Sequence, residues 1–450
     1  MTESQVENSS PVLTGLSHND TIVALSTGQG PSGVGVVRIS GPQSIKIIEC
    51  FVTSVDEMED RKAYLRTFKV KGTSLDRLMV MIFRSPRSFT GEDVVELHCH
   101  GSPYIVGAII ESTIEAGARQ AEPGEFTRRA FLNGKMDLTA AEGLKELIEA
   151  QSHQQWLAAS QLASGKLAKL IGHLREELIK GMAYLEAQID FPDEGETANL
   201  TLETVKPLVD DVRKRLCSLL GSYENGRVAT EGLKVALVGA PNVGKSTLMN
   251  VLLGESRAIV TDVAGTTRDF IEERCLINGR LIRLIDTAGL RGTQDQVEAI
   301  GVDSSRKILR ESDLVLHLYS ADGGKSSFVE KDLALVSPEK VVHVLTKADL
   351  GDCDHIPSDL KISSKENSGI DQLKRFLQER VDQFVAPLKE SMFLTSLRQK
   401  RAVSEALGAL DRGGVARLPG DVHDLGFVLD AHGLELVAHD LQRHAVLQRQ

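Results

Sequence analysis

At 450 residues, with 41% hydrophobic and 26% charged side chains, the chain is long enough to bury two or three cores. No run approaches the roughly 18 uncharged apolar residues of a membrane span, and the first twenty residues lack the order of a secretory signal, so the cytoplasm is the expected location. A net charge of −11 disfavours non-specific coating of nucleic acid and leaves only a local patch for such contact, while five scattered cysteines without a C-x-x-C pair argue against a disulfide framework or a zinc ribbon.

Residues 21 to about 120 alternate extended and helical text. "TIVALST", "VGVVRIS", "LMVMIFR" and "VVELHCH" read as strands, and "YIVGAIIESTIEAGA" as an amphipathic helix. From about 124 to 225 the text turns to long helices, with apolar residues at helical spacing such as Leu144, Leu147 and Ile148, then Leu167, Leu170 and Leu174; "DFPDEGET" interrupts them at Pro192. At Gly232 a third style begins. "KVALVGA", "RLIRLID", "DLVLHLYS", "KVVHVLT" and "DLKISS" are short β-rich runs between helical or Gly-containing segments, which implies a mostly parallel sheet covered on both faces. Asn278-Gly279, between "IEERCLI" and "RLIRLID", is a hairpin signal and makes one strand pair antiparallel. After about residue 388 the helical style returns with "SLRQKRAVSEALGAL" and "GLELVAHDLQRH".

The expected fold class is multidomain, α/β plus all-α. An N-terminal α/β domain covers 1–122, a helical domain covers 123–230 and resumes at 389–450, and a Ras-like P-loop domain with a mostly parallel sheet is inserted at 231–388. Neither helical half looks long enough to core itself alone.

"GAPNVGKS" fits G-x-x-x-x-G-K-[S/T] from Gly239 to Ser246, after an apolar strand and before the helix "STLMNVLL". That order lets the backbone of Asn242, Val243, Gly244, Lys245, Ser246 and Thr247 cradle phosphates at a helix N-terminus, with Lys245 on the outer phosphates and Ser246 on Mg²⁺. The P-loop alone leaves ATP open. "TKAD", Thr346, Lys347, Ala348 and Asp349, occupies the place of the guanine-reading N-K-x-D element, with a threonine for the usual asparagine; "SSK", Ser363, Ser364 and Lys365, fits the last base-contact loop. Together they favour GTP. "DTAG", Asp286, Thr287, Ala288 and Gly289, ends a strand, so Asp286 can hold Mg²⁺ through water and Gly289 can sense the γ-phosphate, while Thr267 in "GTTRD" offers the other Mg²⁺ position. Where many GTPases follow this element with a water-orienting glutamine, the chain has Leu290.

These residues, with "DTIVALST", "GPSGVGVVRISG", "SFTGEDVVELHCHG", "PGEFTRRAFLNGKMDL", "DFPDE" and "IVTDVAGTTRD", resemble the tRNA-modification GTPase family MnmE (TrmE) over nearly the whole chain. The resemblance implies a folate-binding, dimerising N-terminal domain, a discontinuous helical domain and the inserted GTPase domain. It implies a homodimer that joins the FAD-binding partner MnmG (GidA) in a heterotetramer. That complex adds an aminomethyl or carboxymethylaminomethyl group to the wobble uridine of certain tRNAs, with 5-formyl- or methylene-tetrahydrofolate as one-carbon donor. The family's folate contacts fall on Arg38, Glu96 and Lys135; without the family each reads as a solvated surface charge. His98 and His100 share a strand face, but no third metal ligand is evident.

In the family a potassium ion offsets the missing glutamine. Its ligands fall on Asn242 and on carbonyls of Thr261, Val263 and Thr266, in the nucleotide-binding loop that also includes Asp262, Ala264 and Gly265; the water-orienting acid matches Glu298, with Lys245 and Asn242 as its catalytic companions. Read without the family, Glu298 is a helix-start acid. The family's Cys-x-Gly-Lys ending has no counterpart in "LQRHAVLQRQ", so the expectation is that GTP hydrolysis is kept and the tRNA-modifying half lacks that element. The basic runs Arg213–Arg215 and Arg398–Arg401 are candidate tRNA contacts, although in an acidic protein such runs more often line solvated helix faces. The alternative class is a regulatory GTPase switch of the ribosome-assembly type, without modification chemistry; a non-hydrolysing GTP-binding scaffold is a third.

Overall fold

The computed structural model describes residues 20–190, 202–254, 272–286, 306–320, 330, 333–351, 358–389 and 391–413. The chain divides into two compact units, one running to Ala141 and the other beginning at Glu142.

The first unit is built on a six-stranded sheet in the order β3-β4-β5-β2-β1-β6: Ala63–Val70, Thr73–Phe83, Val94–Gly101, Ser32–Ser40, Ile22–Leu25 and Arg119–Gln120. All neighbours run antiparallel except β1 and β6. Strand alternation decides the two faces. Val37 and Ile39 of β2, with Val95, Leu97 and Cys99 of β5, enter a core closed by α1 (Ser44–Glu49) and α2 (Pro103–Glu115). Arg38, Glu96 and His98 therefore point to the other face. β3, "AYLRTFKV", was not among the strands expected, because polar residues break its apolar text; it is held by full pairing to β4 and by Phe68, which stacks on Phe51.

α3 (Glu125–Leu132) follows. A change of style near residue 123 assigns it to the helical part, yet it is tied to the first sheet: Glu125 pairs with Arg119 of β6, and Arg129 with Asp20 beside β1. The compact unit accordingly runs past α3 to Ala141.

In the second unit, α4 (Leu138–Glu149), within which the boundary falls, leads to α5 (His153–Ala163), α6 (Lys166–Asp190), α7 (Leu202–Gly221) and α8 (Tyr223–Glu231). Ser152 starts α5 with a capping box: its Oγ accepts from Gln155 N at 3.2 Å while Gln155 Oε1 accepts from Ser152 N at 3.0 Å. Leu167, Leu174, Val212, Leu216 and Leu219 form one core with Leu394, Val403 and Leu410, the last two on α11 (Leu397–Gly413). Ile148, one of the apolar residues at helical spacing, is 78% exposed.

Between these helices stands a second sheet, in the order β12-β11-β10-β7-β9-β8: Leu360–Lys361, Val341–Thr346, Leu314–Ser320, Leu233–Gly239, Arg280–Asp286 and Glu272–Ile277. It is parallel throughout except for the β8–β9 hairpin, whose turn residues Asn278 and Gly279 both take positive φ, as the sequence predicts. Successive residues of β7 feed opposite cores, Val235 and Leu237 with α9 (Lys245–Gly254) and α10 (Ile370–Val385), Ala236 and Val238 with Ile308 and Leu309. Two buried faces explain why these strands read as continuous apolar runs.

Candidate functional site

β7 is central in its sheet, and the chain leaves its carboxyl end where β9 lies on one side and β10 on the other, the switch point at which such sheets bind ligands. Gly239 passes so near β10 that an added Cβ would collide with the Leu318 carbonyl. Beyond it the loop curls through left-handed backbone at Asn242 (φ +61°) and Gly244 (φ +100°), a conformation that makes anion-binding concavities from backbone amides. Lys245 opens α9 and is buried, its Nζ donating to the carbonyls of Gly239 and Ala240 at 2.8 Å each. The ammonium is thus fastened across the loop. Ser246 Oγ lies 3.4 Å from Asp286 Oδ2, because the β7–β9 register sets Asp286 opposite Leu237. A hydroxyl and a carboxylate this close are hard oxygen donors of the kind that bind Mg²⁺ with water completing the shell. Val243 is buried beneath the loop, while Asn242 and Thr247 are exposed.

At the same sheet edge, β11 ends in Thr346. Its buried hydroxyl lies 2.6 Å from the Val243 carbonyl and 3.0 Å from that of Tyr319, so it joins the P-loop to the ends of β10 and β11. Lys347 takes a left-handed turn (φ +52°), and Ala348 N donates to Ile362 O at 3.1 Å, drawing "TKAD" against "SSK". Ser363 Oγ donates to Asp349 Oδ1 at 2.7 Å and steadies that carboxylate, which is otherwise exposed. Ser364 and Lys365 lie in the turn closed by the Ser363–Ser368 bridge. The structure therefore brings Lys245, Ser246, Asp286, Thr346, Asp349 and Ser363 to one edge. Thr261, Asp262, Val263, Ala264, Gly265, Thr266, Thr267, Thr287, Ala288, Gly289, Leu290 and Glu298 lie outside the described residues, so Asn242 is the one described member of the expected potassium set.

In the first unit, Arg38 and Glu96 are direct cross-strand partners. Arg38 donates to Glu96 Oε1 from Nε at 3.0 Å and from Nη2 at 2.7 Å, and its guanidinium lies 5.6 Å and 5.7 Å from the ring centres of Phe89 and Phe126. His98 Nε2 is 3.3 Å from Glu96 Oε2, and His100 Nδ1 is 2.8 Å from Asp76 Oδ1, so each histidine of the "HCH" run is engaged by a carboxylate. Lys135, exposed after α3, belongs to the same neighbourhood through Gly91: a Cβ there would meet Lys135 Cε at 3.1 Å, on the loop that carries Phe89.

No motif in "GEFTRRAF" marks its charges for a task. They form a buried network. Arg119 grips both oxygens of Glu125 at 2.9 Å and 2.7 Å, and Arg129 reaches Asp20, Glu125 and Glu92 at 2.5 Å, 3.1 Å and 3.1 Å. Burial alone would raise the Glu125 carboxyl, but the Arg119 bonds, the Glu122 amide and Arg129 outweigh it and hold the group at about 2. Four charges of the candidate tRNA patches have carboxylate partners: Arg213 pairs with Asp411, Arg215 with Asp211, Arg398 with Glu142 and Lys400 with Glu224.

The chain is similar to known proteins along most of its length. Residues 21–135 match the family model "GTP-binding protein TrmE N-terminus", and residues 138–445 match "MnmE helical domain". A tRNA modification GTPase MnmE from Aquifex aeolicus is 40% identical over 403 residues, covering 87% of this chain and 88% of its own. Proteins of that name from Acetivibrio thermocellus and Cytophaga hutchinsonii are each 37% identical, over 407 and 419 residues, covering 87% and 90% of this chain and 88% and 90% of their own.

Proposed function

We propose, given that this chain belongs to the MnmE family of tRNA modification GTPases, that it is a potassium-activated GTP hydrolase that takes part in modifying the wobble uridine of certain tRNAs. The observation that carries this reading is the assembly at one sheet edge of a fastened P-loop lysine, a Ser246–Asp286 oxygen pair and the steadied Asp349 carboxylate.

Each has a distinct task. Lys245, anchored by two carbonyls, presents its charge to the outer phosphates without having to be ordered first. Ser246 and Asp286 would hold Mg²⁺, which when bound neutralises phosphate charge. Asp349 accepts from the guanine N–H groups, a pair that adenine does not offer. The exposed amide of Asn242 is a neutral hard donor suited to an alkali cation. With carbonyls of Thr261, Val263 and Thr266 it would hold K⁺ where other GTPases use an arginine finger, a device worth about 10³–10⁵ in rate. Thr267 would complete the Mg²⁺ donors, and Glu298, once two GTPase domains meet in the homodimer, would orient the attacking water.

In the first unit, Glu96 would accept from the pterin head of a tetrahydrofolate and Lys135 would meet the carboxylates of its tail, with Arg38 holding Glu96 in place. A folate bound there would supply the one-carbon unit for the tRNA, in concert with the FAD-binding MnmG partner, in the cytoplasm. Among the described residues, no helix is long and apolar enough to cross a membrane.

The test is the GTPase rate of the full chain in K⁺ and in Na⁺. A strong K⁺ preference that Asn242→Ala erases is expected, and equal rates in the two salts would sink the potassium mechanism. For the tRNA role, cells lacking the protein should lose the modified wobble nucleoside, and an unchanged nucleoside profile refutes it.

A further inference from the structure

Arg38, Glu96 and Lys135 stand on β2, on β5 and beyond α3, and direct contact joins only the first two. Lys135 is joined to them by what lies behind the loop from Arg84 to Asp93. Ser40, two residues along β2 from Arg38, donates from Oγ to Glu92 Oε2 at 2.6 Å and lies 2.7 Å from Thr90 Oγ1. Arg129 of α3 reaches the same Glu92 carboxylate at 3.1 Å and 3.3 Å. At the end of α3, Asn133 Nδ2 donates to Thr90 O at 2.7 Å, and Lys135 N donates to Ala130 O at 2.8 Å. Between these ties Gly91, at φ +83°, leaves the space in which Lys135 lies; a Cβ would crowd both Lys135 and Asn133. Ser40 and Thr90 are wholly buried, and Arg129 is nearly so.

We propose that Glu92 and Arg129 are positioning residues for the folate site. They fix the loop that carries Phe89 to the strand that carries Arg38 on one side and to the helix that precedes Lys135 on the other. The span between the Arg38–Glu96 pair and the Lys135 ammonium is thereby set in advance, so a ligand with a hydrogen-bonding planar head and an anionic tail is held at both ends at once. A lysine on an untethered turn would give charge without register. The inference rests on the folate reading of Arg38, Glu96 and Lys135.

The test uses the full chain, titrated calorimetrically with 5-formyl-tetrahydrofolate and with a formyl-tetrahydropterin that lacks the glutamate tail. Glu92→Gln keeps the shape, and Arg129 retains Asp20 and Glu125, so the fold survives; Asn133→Ala cuts the same tether from the other side. Each variant should weaken the folate by about tenfold, the coupling expected of neighbours in one hydrogen-bond and ion-pair network, and leave the tail-less pterin unchanged. In a Lys135→Ala background neither should cost anything further. Equal losses for the two ligands, or additive losses in the double variants, overturn the positioning role while leaving the folate site intact. Failure of the unaltered protein to bind the folate, or indifference of its affinity to Lys135→Ala, overturns the folate reading and this inference with it.

Discussion

Replacing Thr346 by valine isolates one hydroxyl. The two side chains have nearly the same shape, so packing at the end of β11 is preserved and only the donor disappears. Two carbonyls lie within reach, at 2.6 Å on Val243 and 3.0 Å on Tyr319, but a hydroxyl has one proton and can serve one of them fully. The cost is therefore that of one lost bond. Thr346 is only 4% exposed, so water does not replace the donor, and the penalty is about 1–3 kcal/mol. If all of it fell on nucleotide binding, GDP affinity would drop roughly 5- to 150-fold; any share borne by the fold should appear as about 2–4 °C of Tm per kcal/mol. The assay is GDP titration with Mg²⁺ beside thermal unfolding, with Thr346→Ser as the control that keeps the hydroxyl. Thr346→Asn should move the other way, since an amide has donors for both the loop carbonyl and the base, and a gain of about three- to tenfold is expected. Wild-type GDP affinity and Tm in the valine variant, or equal losses in serine and valine, would refute the clamp.

Gly239→Ala should weaken nucleotide binding and lower Tm, because a Cβ there meets the Leu318 carbonyl; overpacking of this kind costs about 1–3 kcal/mol, and GDP binding as tight as wild type would be the contrary result. Glu125 has a folded pKa of about 2 against an ordinary 4.5, so its contribution to stability is present above pH 4.5 and is lost as pH falls toward 2. The Tm gap between wild type and Glu125→Gln should be full at pH 6 and close across that window; a gap constant with pH would contradict the ion-pair account. Glu146 is the opposite case. Burial, with repulsion from Glu142, Glu231 and Glu149 and against the bond from Thr395, raises its folded pKa to about 7. Its contribution is present below pH 4.5 and fades as pH rises through 7, so Glu146→Gln should be the more stable protein at pH 8, the difference shrinking toward pH 5 in melting curves.

Local chemistry was legible before the structure, and distant chemistry was not. The P-loop, the Asn278-Gly279 hairpin and the strands β7, β9, β10 and β11 declare themselves because turn residues and apolar runs act over a few neighbours. β3 was not foreseen, since its place depends on pairing with β4 rather than on its own text. The ties of α3 to the first sheet are not legible, because nothing within "GEFTRRAF" says that its charges close on Asp20 and Glu92, partners far away along the chain. As text, Thr346 is a departure from a base-reading asparagine. Its bonds to the P-loop and β10 follow from the parallel register of three strands, a property of the assembled sheet.

The helical core has a consequence for biosynthesis. Leu167, Leu174, Val212 and Leu216 leave the ribosome before the nucleotide sheet, whereas Leu394, Val403 and Leu410, which complete the same core, leave after it. At about 5–20 residues per second the earlier helices wait on the order of ten seconds for their partners. During that interval the sheet from β7 to β12 can close, since every strand it needs has been made. The nascent chain thus carries a nearly finished nucleotide unit beside a helical surface still open to chaperones, and translation arrested near residue 390 would leave that surface bare.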